Sequence, residues 1–298
     1  MSDISIVVEQ RRGEESLGAF RERASWHSPW AQLSSQRAFV GISALLFLAS
    51  VAATIEWCES MTAMREMPMP GGWTMSMAWM RMPGETWTGA AATFLGMWAV
   101  MMAAMMLPCF IPTLWRYRQA VYAAGEVATA DEARLGWLTA LVGAAYFFVW
   151  TMFGLVVFPV GAALATIEMH VPALARAVPS AIGAVVLIAG ALQFTAWKAR
   201  HLACCREAAG PSGSRTAASG GAAWRHGLRL GLHCGYCCTG LMAVLLVAGV
   251  MDLRAMAAVT AAITLERLAP GGERVARAIG AVLIAAGLLA IARAAGMV

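Results

Sequence analysis

The chain has 298 residues, 60% of them hydrophobic and only 13% charged, with a formal net charge of +5. A soluble domain carries about 25% charged residues, so this composition excludes an ordinary soluble globule and fits a polytopic membrane protein. The basic excess does not mark a nucleic-acid binder. The arginines lie between apolar blocks with no basic–aromatic surface, which is where basic residues orient helices in a bilayer.

Residues 1–37 form a polar tail bearing Arg11, Arg12, Arg21, Arg23 and Arg37. The first apolar block, about 38–55, stops at Glu56–Trp57. Its leader is too long for a signal peptide and no small-residue cleavage pattern follows, so it reads as a first transmembrane helix. Further apolar blocks lie at about 89–114, 137–165, 180–199, 230–251, 254–268 and 276–295. A bilayer core needs roughly 20 apolar residues per helix. The 254–268 block is short enough for a half-helix or a re-entrant segment, which leaves the count at six or seven. The expected fold class is all-α, a polytopic transmembrane helix bundle over residues 38–298. An outer loop spans 56–88, a polar loop 124–135, and a cytoplasmic linker 206–226 rich in Gly, Ser and Ala.

Orientation follows from the basic residues. The tail, the 198–229 loop (Lys198, Arg200, Arg206, Arg215, Arg225, Arg229) and the stretch with Arg267, Arg274 and Arg277 are rich in them. The 56–88 loop has Arg65 and Arg81, and the 166–179 loop only Arg176. The N-terminus is therefore expected inside and the 56–88 loop outside. Lys198 is the single lysine, and arginine dominance with high Ala and Gly content points to a GC-rich bacterial genome. The expected location is the bacterial inner membrane.

Methionine is the first chemical signal. Most of the 20 methionines fall between residues 61 and 106. Met61, Met64, Met67, Met69, Met75, Met77, Met80 and Met82 occupy the outer loop; Met97, Met101, Met102, Met105 and Met106 precede Cys109 in the second apolar block. A thioether is a soft, uncharged ligand suited to Cu(I). Met101 and Met105 share a helical face, as do Met102, Met106 and Cys109. Each methionine alone is also a good apolar filler, and an interfacial loop is the plain alternative for the outer set. Met77 and Met80 stand for that loop among the candidate ligands.

Cysteine and histidine are the second signal. One block ends with His201, Cys204 and Cys205; the next opens with His233, Cys234, Cys237 and Cys238. His201 precedes the two cysteines by three and four residues, and Cys234 and Cys237 form a CxxC. Thiolate and imidazole suit Cu(I) or Zn(II). With Cys109, three thiol groups fall at one expected membrane depth. A redox-active CxxC and small apolar packing remain alternative readings. Glu266 and Asp252 are carboxylates in or near the membrane, where charge is costly. Both are also compatible with an interfacial position, Glu266 pairing with Arg267 or another arginine. Among Ser–His–Asp sets, phosphate loops and dinucleotide glycine patterns, none occurs, so no enzyme is expected.

The run MWAVMMAAMMLP, the run GLHCGYCCTG and the LER triplet at Glu266 resemble a bacterial family described as predicted metal-binding integral membrane proteins, a domain of unknown function. That family includes proposed copper chaperones of a tyrosinase. The resemblance covers roughly residues 70–295. It implies roles for Met101, Met102, Met105, Met106, Cys237, Cys238 and Glu266. Thr239 stands where the family pattern implies an aromatic residue, and His233 is an added candidate ligand. The reading is a membrane copper chaperone or delivery factor carrying Cu(I), with Zn(II) as the second metal. Its partners would be the lipid bilayer and a copper-dependent enzyme or its assembly factors. A membrane thiol/quinone redox protein and a ligand-free assembly subunit are the alternatives.

Overall fold

A computed structural model describes residues 29–62, 67–81, 84–123, 132–207 and 219–297. Most of the polar tail, Met64, Arg65, Met82, Arg215 and the middle of the linker lie outside the described residues. Among the described residues eight helices carry the fold: α1 (Pro29–Thr62), α2 (Trp87–Ala123), α3 (Glu132–His170), α4 (Pro172–Leu192), α5 (Ala196–Glu207), α6 (Gly220–Ala248), α7 (Leu253–Leu268) and α8 (Gly272–Ala294). The bundle is all-α as expected. The outer loop adds a small antiparallel hairpin, β1 (Met67–Met69) and β2 (Trp73–Met75), followed by a 3-10 turn at Met77–Trp79.

Among the described residues six helices, α1, α2, α3, α4, α6 and α8, are long and apolar enough to cross a membrane. The short 254–268 block is α7, of 16 residues, or about 24 Å at 1.5 Å per residue. The exterior is apolar: Val40, Leu45 and Leu48 on α1, Val156 and Val160 on α3, and Val282 and Leu288 on α8 are each more than half exposed. Burial ranks the helices. The apolar window of α2 is 61% buried, against 11% for α1, so the methionine-rich helix is central and α1 lies at the periphery.

Register fixes the directions. α2 runs antiparallel to α3: Phe94 packs on Phe158, Trp98 Nε1 donates to the Trp150 carbonyl at 2.8 Å, Phe110 stacks on Tyr146, and Arg118 donates to Thr139. α6 runs parallel to α3, with Gly227, Gly231 and Gly235 facing Val142, Val149 and Phe153 in turn. α4 and α8 are antiparallel: Gly183 faces Ile291, and Gly190 faces Ile284. A Cβ on Gly190 would approach Ile284 N to 2.8 Å. Small residues let helices of this kind close to backbone contact.

Two boundaries differ from the sequence reading. The 166–179 loop is almost entirely helical, because Pro172 starts α4 one residue after α3 ends and Val171 alone makes the turn. α6 begins at Gly220, inside the stretch read as linker, with Ser219 accepting from Ala222 N as its cap. Arg225 and Arg229 are therefore helical residues, and Cys234 falls midway along the helix instead of at its start.

Candidate metal centre

The sulfurs of α2 all face inward. Met97, Met101, Met105 and Cys109 recur every fourth residue, Met102 and Met106 lie on the adjoining strip, and each is 5% exposed or less. The helix continues through Pro108 and Pro112. Proline removes a donor at each point, and near the first of them Cys109 Sγ donates to the Met106 carbonyl at 3.2 Å.

Cys234 on α6 is the hub. Its sulfur lies 3.9 Å from Cys238 Sγ and 4.0 Å from Met106 Sδ. Tyr146 Oη donates to it at 3.0 Å, and Arg267 Nη1 reaches it at 3.1 Å. The same guanidinium nitrogen lies 3.2 Å from Cys109 Sγ. Cys237 adjoins Cys238 in the chain, and Cys205 of α5 lies near enough to Cys237 to interact with it. Five thiols and a thioether from α2, α5 and α6 thus form one connected set, every member of it buried. Lateral proximity, which helix depth alone left open, is present for Cys109, Cys205, Cys234, Cys237, Cys238 and Met106.

Buried charge surrounds the thiols. Lys198 Nζ pairs with Glu266 Oε2 at 2.6 Å and donates to the Cys237 carbonyl at 2.7 Å. Gln193 Nε2 donates to the other Glu266 oxygen at 2.9 Å. The sequence reading paired Glu266 with Arg267 or another arginine. Lys198 is the partner instead, because successive residues of α7 point about 100° apart and Arg267 turns to the cysteines. Asp252 is a helix cap: its carboxylate accepts from Arg254 N and Ala255 N at the start of α7.

Other candidates lie elsewhere. Cys204 is exposed and turned away from the set. The imidazoles of His201 and His233 are neighbours across α5 and α6, with ring centroids 6.3 Å apart. In the hairpin, Met75 and Met69 are buried against Ala165 and Ala175, with Met67 and Met80 packed beside them, and Trp73 Nε1 donates to the Ala175 carbonyl at 2.8 Å. These thioethers pin the hairpin onto the α3–α4 turn and are not a solvated array. The side chain of Met77 lies outside the described residues.

Sequence reasoning missed Tyr146 and Met251; it read Lys198 as a topology signal only, and Arg267 as a topology signal and a pairing partner for Glu266. The adjacent Glu266–Arg267 in an apolar stretch was the available clue, since two buried charges in a row need separate partners. Met251 Sδ stands 3.9 Å from Cys58 Sγ at the opposite end of the bundle; nothing in the spacing of residues 193 apart signals that contact.

The arrangement can hold a thiophilic ion. With metal–sulfur bonds of about 2.3 Å, two ligands lie roughly 3.8 Å apart on a tetrahedral ion and about 4.0 Å apart on a trigonal one. The 3.9 and 4.0 Å separations around Cys234 already match. Among the described residues no group of three or more His, Cys, Asp or Glu side chains is arranged to hold a metal; the hub set instead joins two thiols to a thioether.

A family model described as PpoB2, copper chaperone, matches residues 95–290, about two-thirds of the chain. The matched stretch includes every residue of the sulfur set and leaves out the hairpin. Comparison with curated proteins and with solved structures gave no match.

Proposed function

The chain belongs to the PpoB2 copper-chaperone family, and from that premise we propose that it is an integral membrane protein that carries copper as Cu(I) on the Met106, Cys234 and Cys238 sulfurs and delivers it to a copper-dependent enzyme. The observation that carries this reading is the pair of sulfur separations, 3.9 and 4.0 Å, about one buried cysteine. Soft sulfur selects Cu(I) over the hard cations. The six apolar helices and the apolar exterior support a position in the bilayer, and the arginine distribution supports an N-terminus in the bacterial cytoplasm.

Charge favours Cu(I) over Zn(II). Cys234 and Cys238 bind metal as thiolates, and two thiolates with one monovalent ion carry one net negative charge. Arg267, at 3.1 Å from Cys234, cancels it. The same ligands with a divalent ion would leave an unbalanced positive charge, which is expensive in a buried site. Lys198 and Glu266 already balance each other. The remaining α2 methionines, Met97, Met101, Met102 and Met105, extend buried sulfur from the hub toward the end of the bundle that carries the hairpin. They offer weak, exchangeable ligands along which a Cu(I) cargo passes by ligand substitution. Cys109, Cys237 and Cys205 extend the set toward α5.

The test is Cu(I) binding by the full chain, purified anaerobically in detergent, in competition with a Cu(I) chelator. Wild type is expected to bind tightly, and Cys234→Ser with Cys238→Ser to lose the equivalent held on those sulfurs while keeping normal expression and thermal stability. A wild type that binds no Cu(I), or a cysteine double variant that binds as wild type does, defeats this assignment.

A further inference from the structure

His201 and His233 are not part of the sulfur set, and the chemistry of that set makes no use of them. Each carries a buried Nδ1 with no hydrogen-bond partner among the described residues. A buried polar atom left unpaired is costly and uncommon, so each such atom calls for an explanation. Here two of them occur on neighbouring rings, tilted 40° to each other. The rings come from different helices, α5 and α6, and their centroids are 6.3 Å apart.

That separation fits a shared ion. Metal–nitrogen bonds of about 2.0–2.1 Å, added to roughly 1.1 Å from ring centre to nitrogen, place two imidazoles on one linear ion about 6.3 Å apart. We propose that His201 and His233 form a second Cu(I) site, two-coordinate through their Nδ1 atoms and distinct from the thiol–thioether centre. The inference rests on the copper reading above and adds a separate site and donor chemistry to it. Zn(II), which takes four ligands, is poorly served by two imidazoles, whereas Cu(I) is stable in a two-coordinate environment.

The surroundings suit a site of exchange. Trp197 packs edge-on against His201 at 4.6 Å and Tyr236 lies 5.4 Å from it. Both aromatics are over 40% exposed, as Trp and Tyr are at the level where a membrane meets water. Two neutral imidazoles leave the positive charge of Cu(I) uncancelled, and the nearby aromatic rings offset part of it. One turn further along each helix stand Cys205 and Cys237, four residues after His201 and His233 and near enough to each other to interact. A two-coordinate ion is open to a third ligand. The ion therefore moves from the nitrogens to the thiol pair by ligand substitution: the Cu–N bonds break, Cu–S bonds form, the thiol protons pass to the freed imidazole nitrogens, and the oxidation state does not change. The histidines are the port, and the sulfurs are the store.

The test uses the full chain in detergent under anaerobic conditions, with Cu(I) as the probe. Wild type is expected to bind two equivalents. His201→Asn and His233→Asn should each bind one and keep the ultraviolet thiolate-to-copper band. Cys234→Ser with Cys238→Ser should lose that band and keep one nitrogen-bound equivalent. Independently of any variant, wild type labelled with 15N-histidine should show two of its five histidine ring signals shifting as Cu(I) is added. A wild type with one equivalent, histidine variants that bind as wild type does, or ring signals unmoved by Cu(I) would overturn the histidine site and leave the sulfur centre standing. Wild type that binds no Cu(I) overturns both.

Discussion

At the scale of single residues, Arg267 ties together buried thiols from two helices. Its Nη1 lies 3.2 Å from Cys109 and 3.1 Å from Cys234, so one fixed cation serves sulfur from both α2 and α6. A guanidinium is always charged and holds a rigid fork of donors, which an ammonium cannot reproduce. Arg267→Gln keeps a donor and removes the charge. Cu(I) affinity is expected to fall about 10–100-fold, the usual cost of deleting a partner that supports a metal ligand, with the bound stoichiometry unchanged. Chelator competition on wild type and variant measures it; unaltered affinity would remove the charge-balance argument for Cu(I). Much of this site was legible in the sequence. Met106, Cys109, Cys205, Cys234, Cys237 and Cys238 stood out because soft ligands at helical spacing are rare. Arg267 and Tyr146 did not, since their role comes from which neighbour α7 and α3 present, and residue type does not encode that. Cys204 and Cys205 were indistinguishable by sequence, and only the rotation of α5 separates the buried thiol from the exposed one.

At the scale of elements, the centre depends on how closely the helices approach. Gly227, Gly231 and Gly235 bring α6 onto α3, which sets Tyr146 beside Cys234. Gly190 and Gly280 do the same for α4 and α8, and so set Gln193 where it meets Glu266. Without Cβ atoms these contacts reach the backbone, where relief by side-chain rotation is impossible. Gly190→Ala meets Ile284 N at 2.8 Å and the Gly280 carbonyl at 2.9 Å, and is expected to cost about 1–3 kcal/mol through overpacking. Gly143→Ala on α3 has nothing within 4 Å and should be neutral or stabilising by up to about 1 kcal/mol. Thermal unfolding in detergent compares them; equal effects at the two positions would refute close packing at Gly190. The apolar blocks were readable as helices, but their ends were not. Ser219 caps α6 far upstream of the apolar run, and Val171 alone turns α3 into α4, because helix ends follow caps and prolines more than hydropathy.

At the scale of the whole molecule, the helix directions give a topology that the arginine count alone only orients. α3 and α6 run parallel, so their starts at residues 132 and 219 share one side, and the linker between α5 and α6 belongs there. The hairpin packs on the far end of α3, through Trp73 on Ala175 and Trp79 against Gly161, which places residue 70 on the opposite side. α8 is antiparallel to α4, and α4 to α6: α4 turns back on α3 at Val171, with Ala165 and Ala175 both against the hairpin, and α3 is parallel to α6, with Gly240 against Ala189. α8 therefore runs in the direction of α6 and ends on the hairpin side. The short α7 makes this possible: Met251 meets Cys58 at one end of the bundle, while Glu266 meets Gln193 and Lys198 toward the other. The 16 residues of α7 thus carry the chain back along most of the bundle's length, and the charged pair at its end supplies both the cation beside the thiols and the anion that neutralises Lys198. Reporter fusions are expected to place residue 215 in the cytoplasm, with residues 70 and 297 both outside. A reporter at 297 on the same side as 215 would mean that α7 does not count as a crossing. The Cys58–Met251 and Arg267–Cys234 contacts would then not both exist, and the sulfur centre would lose its cation.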